Sequence, residues 1–491
     1  MRRRSFLISA AAGAIAIVLG SRALRAGEAS GVYAWSRPIV CGGHGHVCAF
    51  DPASGEAAFG GDVWGYHATQ DIFGQWLPTM MGQTGIEGIY ARGLAYSLAT
   101  PGTRYCGVGT LGGTGGFFGA SVGNALTSRS TVMGFATGLT GSPGSPEPRP
   151  AGRLIHVQML GGIEVIWAAS AQGVAKSTDG GYTWSTPRVP ASGGSTAWKA
   201  VCGLDANTAL ACRWGARGLW LVTTSGATQI ADPGVLHSIN KINGVVWACG
   251  PGGLYQWNGS AFVNVPGPPA EISDIDGSPD GQTLYVCTAN QTTAAKDGYK
   301  STDGGKTWVT IGQNTKPTLA NGNPFWLQSA VHNHFGDTNW SGTMVAVNPR
   351  DPNMVLFAGK NGGAGTTDGG ATIYQCAPGG DEVNGVRAGP GTDEFTGTDT
   401  DWTGIHTTDG WATYQMTTTP GTVGSALTTT VAGHTYAVKT TNPRDITKDG
   451  VSIADDVFRG GAVRPTGIAV SSDGTITVAL YTGGVLVGKA A

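Results

Sequence analysis

The chain has 491 residues, with 30 basic against 32 acidic side chains, a formal net charge of −2 and 82 glycines. So even a balance argues against a sequence-independent grip on nucleic acid, which needs clustered Lys and Arg, and the glycines keep no triplet period, which excludes a collagen-like rod. Glycine spread between short apolar runs fits a chain of many tight turns.

The first residues, Met1-Arg2-Arg3-Arg4-Ser5-Phe6-Leu7-Ile8-Ser9, lead into an alanine-rich apolar run that ends at Gly20. A basic start before a short apolar run is an export signal, and Arg3-Arg4-Ser5-Phe6-Leu7 resembles the twin-arginine export motif. At roughly 14 residues the run falls short of a bilayer span, so cleavage near Ala26 or Ala29 is expected in place of anchoring. Residues 1–29 are read as the signal and 30–491 as the mature chain, expected in the periplasm or outside the cell. No later segment is apolar and long enough to cross a membrane, so no membrane partner is expected after signal removal; no nucleic acid is expected from the charge balance, and a monomer is expected.

Beyond the signal, alternating apolar runs are separated by Gly, Asn, Asp or Pro turns, as in Thr283-Leu284-Tyr285-Val286-Cys287 before Gly298-Tyr299-Lys300-Ser301, and helical periodicity is nearly absent. One phrase returns along the pattern. Ser177-Thr178-Asp179-Gly180-Gly181-Tyr182-Thr183-Trp184 recurs as Ser301-Thr302-Asp303-Gly304-Gly305-Lys306-Thr307-Trp308, with weaker copies from Thr366 to Ile373 and from Thr407 to Tyr414. The aspartate accepts from backbone N–H groups just ahead of it, the glycine pair supplies positive φ, and the tryptophan caps the reversal. The aspartates are 124 residues apart (179 to 303), then 65 (303 to 368), then 41 (368 to 409). Three intervals of about 41 make up the first gap, so a four-stranded unit of roughly 40 residues repeats.

Units without the full phrase fall near Thr69-Gln70-Asp71 with Trp76, near Cys106 to Val122, and around Gly218–Val222 and Gly253–Trp257. Residues 138–152, with Pro143, Pro146, Pro148 and Pro150, read as a surface linker, and 313–341 and 376–402 as long loops of the kind that line a binding face. The last segment, Thr466 to Val487, holds two or three strands, and residues 31–36 are placed to supply the missing one and close the ring. The repeated phrase resembles the Asp-box of sialidases and other β-propeller proteins. That resemblance implies an all-β fold, a single β-propeller of four-stranded blades, seven or eight in number, with the box aspartates as scaffold on the rim.

Cys106, Cys249 and Cys287 take similar places in successive strands, which suits small buried packing residues better than disulfides. Local bridges between Cys41 and Cys48, or Cys202 and Cys212, remain open. The pairs His44/His46 and His332/His334 have the i, i+2 spacing of one strand face, but without a third ligand they read as cleft-lining or turn residues, and no metal or other cofactor is expected.

The sharpest functional clue is Gly42-Gly43-His44-Gly45-His46-Val47, leading through Asp51-Pro52 to Gly60-Gly61-Asp62-Val63-Trp64-Gly65-Tyr66. This order resembles the opening blade of the xyloglucanase-type glycoside hydrolases of family 74, and by that resemblance Asp62 is the catalytic base. Gly61 replaces the family's usual Thr, and Trp64 stands where Gly is common. A second stretch, from Trp340 through Met344-Val345-Ala346-Val347-Asn348-Pro349 to Gly359, resembles the first blade of that family's second propeller. Only about 150 residues follow it, too few for a second full ring at roughly 40 residues per blade. The family's acid therefore has no secure counterpart, and Asp337, in an aromatic-rich loop, is taken as the substitute.

Glycoside hydrolysis needs two carboxylates on opposite sides of the bond. Trp64, Tyr66, Trp326, Trp340 and Trp402 are suited to stack on sugar rings, with packing between blades as the competing role. The leading expectation is an exported hydrolase of a β-glucan-type polysaccharide. The alternatives are a noncatalytic propeller that binds polysaccharide or assists envelope assembly, and a sialidase or polysaccharide lyase.

Overall fold

In the computed structural model the described residues run from 33 to 490 apart from 37–44, 62–64, 74–76, 79–88, 111–115, 121–126, 131–151, 171, 190–197, 214–215, 269–270, 289–297, 312–314, 320–343, 360–361, 378–382, 400–403, 410, 412–414, 418–425, 441–444, 455–464 and 481–483. All regular structure among them is β, in ten sheets whose strands follow one another in chain order, mostly four to a sheet and antiparallel. This arrangement fits a β-propeller.

Sheets 1 to 7 begin with the strands Gly45–Phe50, Ile89–Tyr96, Ile155–Leu160, Trp198–Gly203, Ser238–Ile242, Ile272–Gly277 and Met344–Val347. Each packs its first strand against the next sheet in order, and the first two strands of sheet 7 pack back against the first strand of sheet 1. Cys48 meets Met344 and Leu356 at that return contact, and Arg350 Nη1 donates to Ala53 O at 3.1 Å. Sheets 8, 9 and 10 begin with Val383–Ala388, Thr428–Val431 and Pro465–Val470, and sheet 10 lies between the other two. Their cores are separate: no hydrophobic cluster of described residues draws on both groups.

The expected single set of seven or eight units thus becomes ten sheets in two packing groups. Part of the difference lies in residues 376–402, expected as a loop. They contribute Val383–Ala388 and Phe395–Asp399, the first two strands of sheet 8, with Val386 and Phe395 buried. The few apolar residues alternate with Thr and Gly, so the hydrophobic signal of a half-buried strand is thin. Within 313–341, Thr315–Leu319 adds a parallel strand to sheet 7, and the rest lies outside the described residues, as does nearly all of 138–152. Tyr33–Ser36 does complete a sheet, pairing with the last strand along Tyr33↔Ala490 to Ser36↔Val487. It closes sheet 10, not the larger cycle.

The repeated phrase always occupies the turn after the third strand of its sheet. At the first copy, Ser177 Oγ accepts from Gly181 N at 2.9 Å, Asp179 accepts from Tyr182 N, Thr183 N and Thr183 Oγ1, and Trp184 Nε1 donates to Gly181 O. The second copy repeats these bonds at Ser301, Asp303, Thr307 and Trp308. Those bonds to its ionised form hold the Asp303 carboxyl down at about 2. The second glycine of each phrase also touches the preceding sheet: a Cβ would come within 2.3 Å of Phe117 at Gly181, 2.8 Å of Trp247 at Gly305 and 2.8 Å of Ile311 at Gly370. In sheet 8 Trp411 holds that left-handed position at φ 72°. Its indole is buried beside Phe395, and Nε1 donates to Thr477 Oγ1 of sheet 10.

The described cysteines, Cys48, Cys106, Cys202, Cys212, Cys249, Cys287 and Cys376, are free thiols and buried, so Cys202 and Cys212 form no bridge. Cys202 faces Leu210 in register, and the Cys212 thiol points to Leu236 O.

Gly305 and Gly244 separate two costs. Both have positive φ, but only Gly305 has a neighbour in the way of a Cβ. Gly244→Ala is expected to cost about 1 kcal/mol from backbone strain, and Gly305→Ala a further 1–3 kcal/mol or so from overpacking. Denaturant melts of the two variants check the order.

Candidate functional site

The first strands of the seven-sheet cycle carry an irregularity that positions polar groups. Pairing with the second strand skips one residue at His46, Arg92, Lys199 and Ser273. A bulge of this kind inserts an unpaired residue and re-aims its side chain. All four are buried, at 1%, 6%, 3% and 0% exposure. His237, directly before the first strand of sheet 5, is buried too.

Three of these neighbouring elements are joined in one chain of hydrogen bonds. Lys199 Nζ donates to His237 Nδ1 at 2.6 Å, and His237 Nε2 donates to Glu271 Oε1 at 2.6 Å, linking sheets 4, 5 and 6. Burial lowers the Lys199 ammonium to about 8, and burial next to Lys199 lowers His237 to about 4, so the imidazole is neutral near pH 7. The bond from His237 pulls the Glu271 carboxyl down. This fixes the imidazole tautomer, with Nδ1 accepting from Lys199 and the proton on Nε2.

A second polar cluster lies across the axis of the cycle. Arg153 precedes sheet 3, yet Nε and Nη2 reach Asp274 of sheet 6 at 3.1 and 2.8 Å, and Nη2 reaches Val345 O of sheet 7 at 2.6 Å. Asp274 also accepts from Val345 N, and Asp276 from Val347 N and Asn240 Nδ2. Burial pushes the Asp274 carboxyl up, while Arg153 and the Val345 N–H draw it back. Around this pair the seven first strands line a cavity of about 290 Å³, touched by Phe50, Leu94, Ile155, Val201, Ile239, Asp276 and Ala346, one from each sheet.

Of the residues expected to act on a polysaccharide, Tyr66 is described and is a core residue. Its ring is 1% exposed between sheets 1 and 2, with the hydroxyl between Gly93 O and Gly107 O at 2.8 and 2.6 Å. Stacking on a sugar needs an open ring face, so that expectation is corrected. Asp62, Trp64, Trp326, Asp337, Trp340 and Trp402 lie outside the described residues, as do His44, His332 and His334. The residues flanking two of these stretches share one end of the cycle: Gly61 pairs with Gly65 and with Gly45, the start of sheet 1, while Met344 starts sheet 7 against sheet 1.

Sequence reading missed Lys199, His237, Glu271, Arg153 and Asp274. The available signal was a charge inside an apolar run, as in Trp198-Lys199-Ala200-Val201. The partners are 34 to 121 residues away, which no local pattern reveals.

No family model matches the sequence, and no curated protein matches it. Among solved structures, a GH74 enzyme from Niastella koreensis is similar with a TM-score of 0.57 at 16% identity, over 91% of this chain and 79% of that one. The chain shares that enzyme's fold. More distant are YCF48 from Cyanidioschyzon merolae (TM-score 0.41, 14% identity, 67% of this chain and 96% of that one) and the extracellular domain of a putative hybrid two-component system from B. thetaiotaomicron (TM-score 0.43, 11% identity, 90% and 64%).

The neutral His237 has a measurable consequence. Its proton affinity is lower in the folded protein than in the unfolded chain, so below about pH 6.5 the unfolded state binds the extra proton and His237 costs stability until about pH 4. Asp274, with its raised carboxyl, works in the opposite direction, so the contrast with a variant is diagnostic. His237→Gln, whose amide can replace both bonds, is expected to reduce the loss of stability between pH 6.5 and 4 by up to about 1.4 kcal/mol per pH unit. Denaturant melts at pH 7, 6 and 5 measure it.

Proposed function

We propose that the protein is an exported, glycoside-hydrolase-like propeller acting on a β-glucan-type polysaccharide. In this reading seven blades close around the axial cavity and three more form an arc beside them. The supporting observation is the fold shared with the GH74 enzyme over 91% of this chain, joined to the likeness of residues 40 to 76 to the opening blade of that family.

Asp62 serves as the base and Asp337 as the acid, on either side of the glycosidic bond. The shared end of the residues flanking them, Gly61, Gly65 and Met344, supports this pairing. Trp64, Trp326, Trp340 and Trp402 supply aromatic faces for sugar rings in this reading. The twin-arginine-type start of the chain supports export to the periplasm or beyond. The second reading, a propeller that binds polysaccharide without turning it over, is favoured by two described axial carboxylates, since Glu271 and Asp274 are spent on internal partners.

Incubation with xyloglucan, mixed-linkage glucan and carboxymethylcellulose is expected to release new reducing ends from at least one polymer. Asp62→Asn and Asp337→Asn are each expected to lower that rate by about 10²–10⁴-fold with polymer binding retained. Unchanged reducing ends on all three polymers with the parent protein would remove the hydrolase reading, and retained binding in that case would leave the second.

A further inference from the structure

The axial cavity is walled by the first strands of all seven sheets of the cycle and by the hairpins that leave them, including Pro52, Ser278, Pro279 and Pro349. It therefore lies toward the hairpin end, away from the end where Gly61, Gly65 and Met344 lie. The two basic and two acidic groups at and behind its wall sum to no net charge. Arg153 is balanced by Asp276 on the wall and Asp274 behind it, Lys241 is held by neutral oxygens, and His156 is neutral because burial, Lys241 and Arg153 lower it to about 3.

A defined set of polar groups remains for a guest. His156 Nδ1 accepts from Gly203 N at 3.1 Å, so the neutral ring carries its proton on Nε2, which has no hydrogen bond to a described residue. Arg153 uses Nε and Nη2 on Asp274, Ile275 O and Val345 O, and Nη1 makes no hydrogen bond to a described residue. Lys241, by contrast, spends its ammonium on Gln158 Oε1, Gly203 O and Leu204 O. Asp276 keeps 20% of its side chain exposed, with acceptor capacity beyond Asn240 and Val347 N. The Arg153 guanidinium, whose Nη2 lies 3.7 Å from Asp276 Oδ2, His156 and that carboxylate thus share one cavity wall with the apolar side chains of Ile155, Val157, Ile239 and Ile242.

An anion meets Asp276 and a cation meets Arg153, so neither is favoured. Adjacent hydroxyl groups both donate and accept, and the C–H faces of a sugar ring suit the aliphatic walls. We propose that the axial cavity is a binding site for one small neutral polyhydroxylated molecule, in class a free monosaccharide, held by Arg153, His156 and Asp276. The proposal is independent of Asp62 and of any hydrolysis.

Calorimetric titration of the mature full chain with D-glucose, D-xylose, D-galactose and myo-inositol tests it, with cyclohexanol as the apolar control. At least one polyol is expected to bind at one site with a Kd of millimolar order or tighter. His156→Asn keeps an acceptor for Gly203 N while withdrawing the Nε2 donor, and is expected to weaken binding about tenfold, the loss of roughly one hydrogen bond. Ala49→Leu, which fills the mouth from a partly exposed wall position, is expected to abolish it. Thermal melts confirm that each variant is folded. Absence of saturable polyol binding, tighter binding of cyclohexanol, or equal affinity in the parent and both folded variants would overturn the proposal. Loss of polymer hydrolysis in Asp62→Asn with monosaccharide binding intact distinguishes the two sites.

Discussion

The bond from Arg153 to Asp274 holds the centre of the molecule. An arginine leading into sheet 3 pairs with a carboxylate of sheet 6 and a carbonyl of sheet 7, across a cycle in which no two sheets are further apart than three steps. Burying a charge is tolerated only where a partner and further hydrogen bonds replace water. Asp274 has no exposed side-chain surface, so removal of Arg153 would strand it. The backbone N–H groups of Val345 and Val347 complete the set, tying the strand of sheet 7 to the same two aspartates. One ion pair thereby fixes three sheets that are distant in sequence.

Around this centre the sheets are joined by side chains that reach from one to the next. Glu56 of sheet 1 takes Tyr96 and Arg104 of sheet 2, and Glu164 of sheet 3 takes Tyr105, Ser97 and the Leu98 N–H of sheet 2. Further round, Lys199, His237 and Glu271 join sheets 4, 5 and 6. Apolar contact alone is non-directional. These polar links specify how each sheet sits against its neighbour, and the second glycine of the repeated phrase, at Gly181, Gly305 and Gly370, allows the preceding sheet to approach where a Cβ would collide.

The two ends of the cycle carry different chemistry. At the hairpin end the chain is short and well specified by Asp, Ser and Asn turns, such as Asp205 with Asn207 and Thr208 or Asp51 with Ala53 and Ser54. The cavity opens among these rigid turns. At the other end lie Gly61, Gly65 and Met344, which flank the stretches proposed to carry Asp62 and Asp337.

The repeat was legible because its information is local. Asp179 and Asp303 find their partners within four residues, so the phrase, its period of about 41 and the strands between copies were readable from adjacent letters. The completing strand at Tyr33–Ser36 was also readable, since a sheet lacking a strand at one terminus needs one from the other. The split into two packing groups was not, because it depends on which faces meet, and Val386, Phe395 and Trp411 gave too sparse an apolar pattern to announce sheet 8. Tyr66 looked like a sugar platform by its place in the opening motif, but the sheet beside it covers the ring. The charged axis was hidden most completely. Arg153, Lys199, His237 and Asp274 carry no local motif, and their roles exist only once strands 38 to 121 residues apart lie side by side, in a dielectric low enough to make pairing obligatory.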